Sequence, residues 1–265
     1  MMEVRDDTTP FDAPPAGPPR QRWSWAALVA IGLVAVLLIL AILAGFGSRW
    51  GLWSFRTGFS LLRGPVLYGL FALVAISIFA LFHSRPSTGR RGLPLALGSL
   101  VIALGVLGYM AQWRSKAMDA PPIHDITTDT QSPPQFVGIA PLRADAPNPM
   151  EYGGPEVAVQ QREAYPDIVP LMLDFPAERA FERALRAARD MGWEIVAADS
   201  AAGLIEATDR TFWFGFRDDI VIRLSSLDDR TVVDVRSLSR VGGGDTGTNA
   251  RRVRAYLEKL RALPR

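Results

Sequence analysis

The side chains able to do chemistry are unevenly supplied in this sequence: its 265 residues hold no cysteine and two histidines, His83 and His124. Without thiols there are no disulfide frameworks, thiolate-bound zinc, iron–sulfur clusters or cysteine nucleophiles. His124 stands beside Asp125, a general-base pairing and the one catalytic candidate of its kind outside the apolar segments. A lone histidine there leaves no multi-histidine metal centre, and no G-x-S-x-G elbow marks a serine nucleophile. No metal site or cofactor is therefore expected.

A second group lies in the stretch from Arg236 to Arg252, where Gly242, Gly243, Gly244 and Gly247 separate arginines from a helix start. Glycines before a helix can turn backbone N–H groups toward an anion, with Arg236, Ser239, Arg240, Asp245, Asn249 and Arg252 as the candidate ligand-binding set. The spacing fits neither a phosphate loop nor a dinucleotide fingerprint. The plainer reading is a strand-to-helix turn with glycines at positive φ, Thr248 or Asn249 as N-cap, and Asp245 paired with an arginine. A third group is aromatic: Phe212, Trp213, Phe214 and Phe216 crowd into five positions. An alternating strand cannot send all four to one core, so some should meet a membrane surface, the linker or a partner.

These groups need a scaffold, and the sequence beyond Pro170 supplies one. Ala177, Ala180, Phe181, Ala184, Leu185, Ala188 and Met191 recur at three- and four-residue steps, the stripe of an amphipathic helix stopped by Gly192. β-Prone runs follow at 193–197, 203–208, 220–224 and 232–237, with turns at Asp199–Gly203 and Asp228–Arg230. A closing helix carries Val253, Tyr256, Leu257, Leu260 and Leu263 on one face. With a first strand at 168–173 the order is β-α-β-β-β-β-α. This predicts an α+β domain over 168–265, an antiparallel sheet with two helices on one face.

The first 113 residues are of another kind. Uncharged runs at 25–46, 65–82 and 93–111 are long enough to cross a hydrocarbon core of about 30 Å as helices, giving a three-helix transmembrane region over 23–113. Trp23, Trp25, Trp50, Trp53, Tyr109 and Trp113 sit at their ends, as interfacial rings do. The first run is too long for a signal-peptide core, and Ala44-Gly45-Phe46 is a poor cleavage site, so it is read as a retained helix. No Asp, Glu, Lys or Arg lies inside the runs, which argues against a transporter. Gly98, Gly105 and Gly108 are read as closing the protein's own three-helix bundle.

Orientation follows from Arg85, Arg90 and Arg91 in the short loop 84–92, which points inward. The expected location is the cytoplasmic (inner) membrane, multi-pass, with a cytoplasmic N-terminus, a disordered tail over 1–22 and a periplasmic C-terminal domain. Between spans and domain, residues 114–167 form a Pro-rich linker whose Ile123, Ile126, Phe136 and Val137 suggest docking on the domain. Residues 1–113 hold nine arginines against four acids, but the remainder holds twenty basic against twenty-three acidic residues, so no nucleic-acid partner is expected.

Three segments, Pro121-Pro-Ile-His-Asp-Ile-Thr-Thr-Asp129, Phe212 to Asp219, and Arg236 to Arg254 with its Gly-rich turn, resemble the domain-of-unknown-function 1499 family. The likeness covers residues 118–263 and leaves out the spans. It implies an extracytoplasmic domain without established catalytic residues. The expected function is a membrane-anchored extracytoplasmic binding or assembly module, with the lipid bilayer and an envelope protein as partners. The alternative is an envelope hydrolase or anionic-ligand-binding protein using His124, Asp125 and the arginine-rich loop.

Overall fold

An uncharged run can satisfy its backbone only within itself when no water is at hand, and three such runs are helical. The computed structural model describes residues 21–263, so most of the tail expected over 1–22 lies outside the described residues. Strand β1 (Arg22–Trp23) leads into helix α1 (Trp25–Arg49). Helix α2 (Phe55–Leu61), capped by Ser54, runs through a π-turn at Leu62–Val66 into α3 (Leu67–His83). Strand β2 (Arg90–Arg91) precedes α4 (Leu93–Asp119). The stretches Trp25–Arg49, Phe55–His83 and Leu93–Asp119 are each long and apolar enough to cross a membrane.

The second stretch starts ten residues before the expected Pro65, because Ser54 supplies an N-cap and the backbone widens around Pro65 rather than breaking. Among the described residues a Cβ at Gly98, Gly105 or Gly108 would meet nothing within 4 Å, so none of these α4 glycines marks the close helix approach expected of them. They fall on open stretches of the helix.

Contacts divide the chain into two compact units, one reaching up to Ala35 and taking in Leu70–Leu104, the other comprising Val36–Gly69 and the chain from Gly105 onward. In the first, β1 pairs in parallel with β2. Ser24 caps α1 at Ala27 N and meets His83 Nδ1 at 2.8 Å, while Ala26, Ala27, Ala80 and Ala96 pack together without exposed surface.

The second unit contains the sheet. Its strands are β3 (Asp125–Thr127), β4 (Leu171–Leu173), β5 (Glu194–Asp199), β6 (Leu204–Arg210), β7 (Arg217–Leu227) and β8 (Arg230–Ser239), all antiparallel. The order is β3-β8-β7-β6-β5, with β4 paired to the other end of β8, so β3 and β4 share one edge. Helices α5 (Gly154–Ala164), α6 (Ala177–Asp190) and α7 (Thr248–Ala262) complete it.

Strand alternation sends Ile205, Ala207, Ile220, Ile222, Val233 and Val235 to one face, where they form a core with the apolar stripes of α6 and α7. The expected α+β architecture, with both amphipathic helices on one side of an antiparallel sheet, is what the chain adopts. The opposite face carries Glu206, Asp219, Arg236 and Arg240 beside Val221 and Leu238. The stretch 128–150 covers it with Phe136, Ile139 and Met150. Residues 114–167 are thus more than a spacer. They supply β3, and α5 is tied to β3 by Gln161, whose amide exchanges hydrogen bonds with Thr127 N and O at 2.9 and 2.6 Å.

Candidate functional site

Register decides the environment of His124 and Asp125. Asp125 lies opposite Leu238 on the polar face of the sheet, and the residue before it in an extended segment points the other way. Asp125 receives both sides of the Arg236 guanidinium, Nε at 3.0 Å and Nη2 at 2.8 Å. The fully buried Arg236 also donates to Pro134 O and Met150 O and lies over the Phe136 ring at 5.0 Å. Asp125 therefore does not orient the His124 imidazole. It is the His124 carbonyl that is engaged, by Ser239 N at 3.0 Å and Asn249 Nδ2 at 2.9 Å, while the buried imidazole Nδ1 has no hydrogen-bond partner among the described residues.

The other arginines of the set are likewise bound to carboxylates. Arg240 grips Asp219 with Nε and Nη2 at 2.9 and 2.8 Å, and Arg143 reaches the same carboxylate. Arg252 bridges Asp218 and Asp209 from the helical face and also donates to Asn249 Oδ1 and Ser237 Oγ. Asn249, with no exposed surface, links Ser237, Ser239 and His124 O. The loop thus brings Ser239, Asn249 and Arg252 into one network, places Arg236 and Arg240 on the opposite face, and keeps every one of these groups in internal contacts.

Asp245 differs from the sequence expectation. Among the described residues it forms no ion pair with an arginine; its carboxylate accepts from Gly247 N and Asn249 N and so caps α7, a role expected of Thr248 or Asn249. The reason is Gly247, which turns through φ 76° just before the helix and aims the first amides at Asp245. Burial, opposed by those two hydrogen bonds, pushes the Asp245 carboxyl above its usual value, and nearby Asp218 adds to the rise.

The aromatic group occupies the tip between β6 and β7, and it rests on α1 and α2. Trp213 Nε1 donates to Ile42 O at 3.2 Å, Phe214 stacks on Phe59 with centroids 4.7 Å apart, Phe216 meets Phe55 at 5.5 Å, and Phe212 meets Phe46 at 5.4 Å. Small residues make room: a Cβ at Gly45 would overlap the Trp213 indole, and one at Gly58 would overlap the Ala44 carbonyl and the Phe214 ring. Arg49, in the last turn of α1, donates to Thr211 O at 2.7 Å, and Arg210 returns a hydrogen bond to Arg49 O. Phe214 is buried, Trp213 is 39% exposed and Phe212 78%. Beside the tip opens a cleft of about 350 Å³ bordered by Phe55, Leu142, Asp145, Phe216, Arg217 and Arg240.

Residues 125–260 match the model of a family described as protein of unknown function (DUF1499). The chain belongs to the DUF1499 family. Its matched stretch opens on Asp125, the partner of Arg236, and closes on Leu260 in α7, so the DUF1499 portion includes the Pro-rich cover of the polar sheet face and excludes all four N-terminal helices. No curated protein matches the chain.

Several residues that shape this DUF1499 domain escape a reading of local sequence. Glu206 has no exposed surface and accepts from three successive amides, Val137, Gly138 and Ile139, at 2.7–2.9 Å. It pins the cover as a helix N-terminus holds an anion, yet the two segments lie 67 or more residues apart. Asp219, Arg143, Gly45, Gly58 and Arg49 are hidden for the same reason. The available signal was the pair of glycines flanking the end of an apolar helix in a chain that has aromatics to place.

Proposed function

We propose that the chain is a multi-pass anchor in the cytoplasmic membrane that holds its DUF1499 domain against the outer surface, where the domain binds or assembles with an envelope protein. The observation that carries this reading is the seating of the 211–216 tip on the last turns of α1 and on α2. A domain meant only to be tethered needs no such dock. A domain that must present a fixed face at a bilayer gains orientation from it.

The pairing of the arginine set with Asp125, Asp209, Asp218 and Asp219 supports a binding role over a hydrolytic one, because those guanidiniums hold the fold together and among the described residues no carboxylate orients His124. The arginines of loop 84–92 support a cytoplasmic placement for that loop, and three crossings then carry the domain outward.

The chain's lack of cysteine makes the test direct. Ser87→Cys, in the α3–α4 loop, and Ser200→Cys, in the β5–β6 turn, are treated with a membrane-impermeant maleimide. Ser200→Cys should label in intact spheroplasts and Ser87→Cys only after permeabilisation. The opposite pattern refutes the outward placement.

A further inference from the structure

The domain's buried arginines all face carboxylates, and three at the base of the aromatic tip do not. Arg49 uses Nη1 on the carbonyls of Thr211 and Phe212, and Arg210 uses Nε and Nη2 on Gly215 O and Arg49 O. Among the described residues the Arg217 guanidinium makes no hydrogen bond or ion pair at all. The three lie close: Arg210 and Arg217 are register partners across β6 and β7, and a Cβ at Gly215 would sit 3.0 Å from Arg49 and 3.1 Å from Arg210 Nε. Partial burial, together with the charges of Arg49 and Arg217, holds the Arg210 guanidinium below its ordinary value. A like-charge cluster of this kind calls for an anion, and arginine forks match phosphate oxygens.

The adjoining cleft says which anion. Arg217 and Arg240 both line it, Arg240 already held by Asp219, and Phe55, Leu142, Phe214 and Phe216 supply its apolar part. It also borders Ser48 at the end of α1, where Trp50, Leu52 and Phe212 leave large apolar surfaces exposed. A small free anion would leave the phenyl wall wet, and a multiply charged one would meet Asp145 on the rim. A molecule carrying one phosphodiester on an apolar body satisfies both parts. We propose that this cleft seats an anionic phospholipid, its headgroup phosphate on Arg217 at the cleft wall with Arg210 and Arg49 adjoining, and its glycerol and upper acyl chains along Phe55, Phe214 and Phe216.

The inference rests on the membrane reading above and deepens it. The lipid would complete the dock between tip and α1, so that the orientation of the domain depends on the headgroup composition of its leaflet.

The test uses the full chain in mild detergent mixed with equimolar phosphatidylglycerol and phosphatidylcholine, with bound lipid read by native mass spectrometry. The protein should retain phosphatidylglycerol in preference to phosphatidylcholine. Arg217→Gln, which removes no internal hydrogen bond, should reduce that retention about fivefold or more, a loss of the size expected for one charge-assisted contact. Arg210→Gln/Arg217→Gln should reduce it further. Arg90→Gln/Arg91→Gln, removing the same charge from the α3–α4 loop, should leave it unchanged.

Equal retention of the two lipids, or equal loss from the loop variant, overturns the proposal. So does displacement by soluble glycerol phosphate at millimolar concentration, which would mark a free-phosphate site. Because the assay is done in detergent it is blind to sidedness. Failure here with correct maleimide labelling removes the lipid site alone, whereas reversed labelling with selective retention removes only the outward placement.

Discussion

At the scale of single residues, the polar face of the sheet is organised by charges that lie far apart in the chain and meet only on folding. Arg236 and Asp125 are separated by 111 positions, and each is nearly or wholly buried. Such a pair contributes little net stability, since desolvation offsets most of its attraction, but removing one partner leaves a naked buried charge. Asp125→Ala should therefore cost about 3–5 kcal/mol in denaturant unfolding of the detergent-solubilised protein, and Asp125→Leu/Arg236→Met should recover a large part of that loss. A double variant no more stable than the single one would show that Arg236 is held chiefly by Pro134 O and Met150 O instead. The sequence singles out Arg236, Arg240, Arg252, Asp245 and Asn249 as a group but not the partner of each, because pairing follows strand register. His124 and Asp125 illustrate the limit: adjacency suggests cooperation, and the alternation of an extended backbone separates them.

Elements with a strong period are those the sequence predicts closely. Helices α6 and α7 and the hairpins β5–β6 and β7–β8 announce themselves by three- and four-residue spacing or by turn residues such as Asp228, which adopts φ 53°. Helix α5 does not, since only Ala158 and Gln161 are buried along its eleven residues, and β3 and β4, at three residues each, are too short to show alternation. The aromatic tip is a mixed case. Its composition signals an unusual environment, but the occupant of that environment lies in α1 and α2, and only Gly45 and Gly58 reveal where the backbones approach. Gly58→Val should force α2 off the Ala44 carbonyl of α1 and wedge the Phe214 ring away, at a cost of about 1–3 kcal/mol, the usual range for overpacking. Hydrogen exchange should then quicken by about tenfold or more over 209–218 and stay unchanged over 230–239, because tip opening is a local event. Protection that falls equally in both segments would mean that the tip and the sheet open as one cooperative unit.

At the scale of the whole molecule, sidedness and folding rest on different residues. The domain's core is built by α6, α7 and the sheet, its polar face by Glu206 and the paired arginines, and its dock by Arg49, Gly45 and Gly58; none of these lies in the loop 84–92. Under the proposed orientation, inward placement depends on Arg85, Arg90 and Arg91 reinforcing Arg5, Arg20 and Arg22, against Arg49, Arg56, Arg63, Arg114 and Lys116 outside. The margin is narrow, and the α3–α4 loop decides it. Arg85→Gln/Arg90→Gln/Arg91→Gln leaves three inside charges facing five, so a substantial share of molecules should insert inverted, and Ser200→Cys in that background should lose much of its labelling in intact spheroplasts. Stability in detergent should move by no more than about 0.5 kcal/mol, as for other surface substitutions, because the end of α1 and the domain seated on it change sides together. Full labelling of Ser200→Cys in the triple variant would shift control of orientation away from the loop and onto the N-terminal arginines or the translocation of the domain itself.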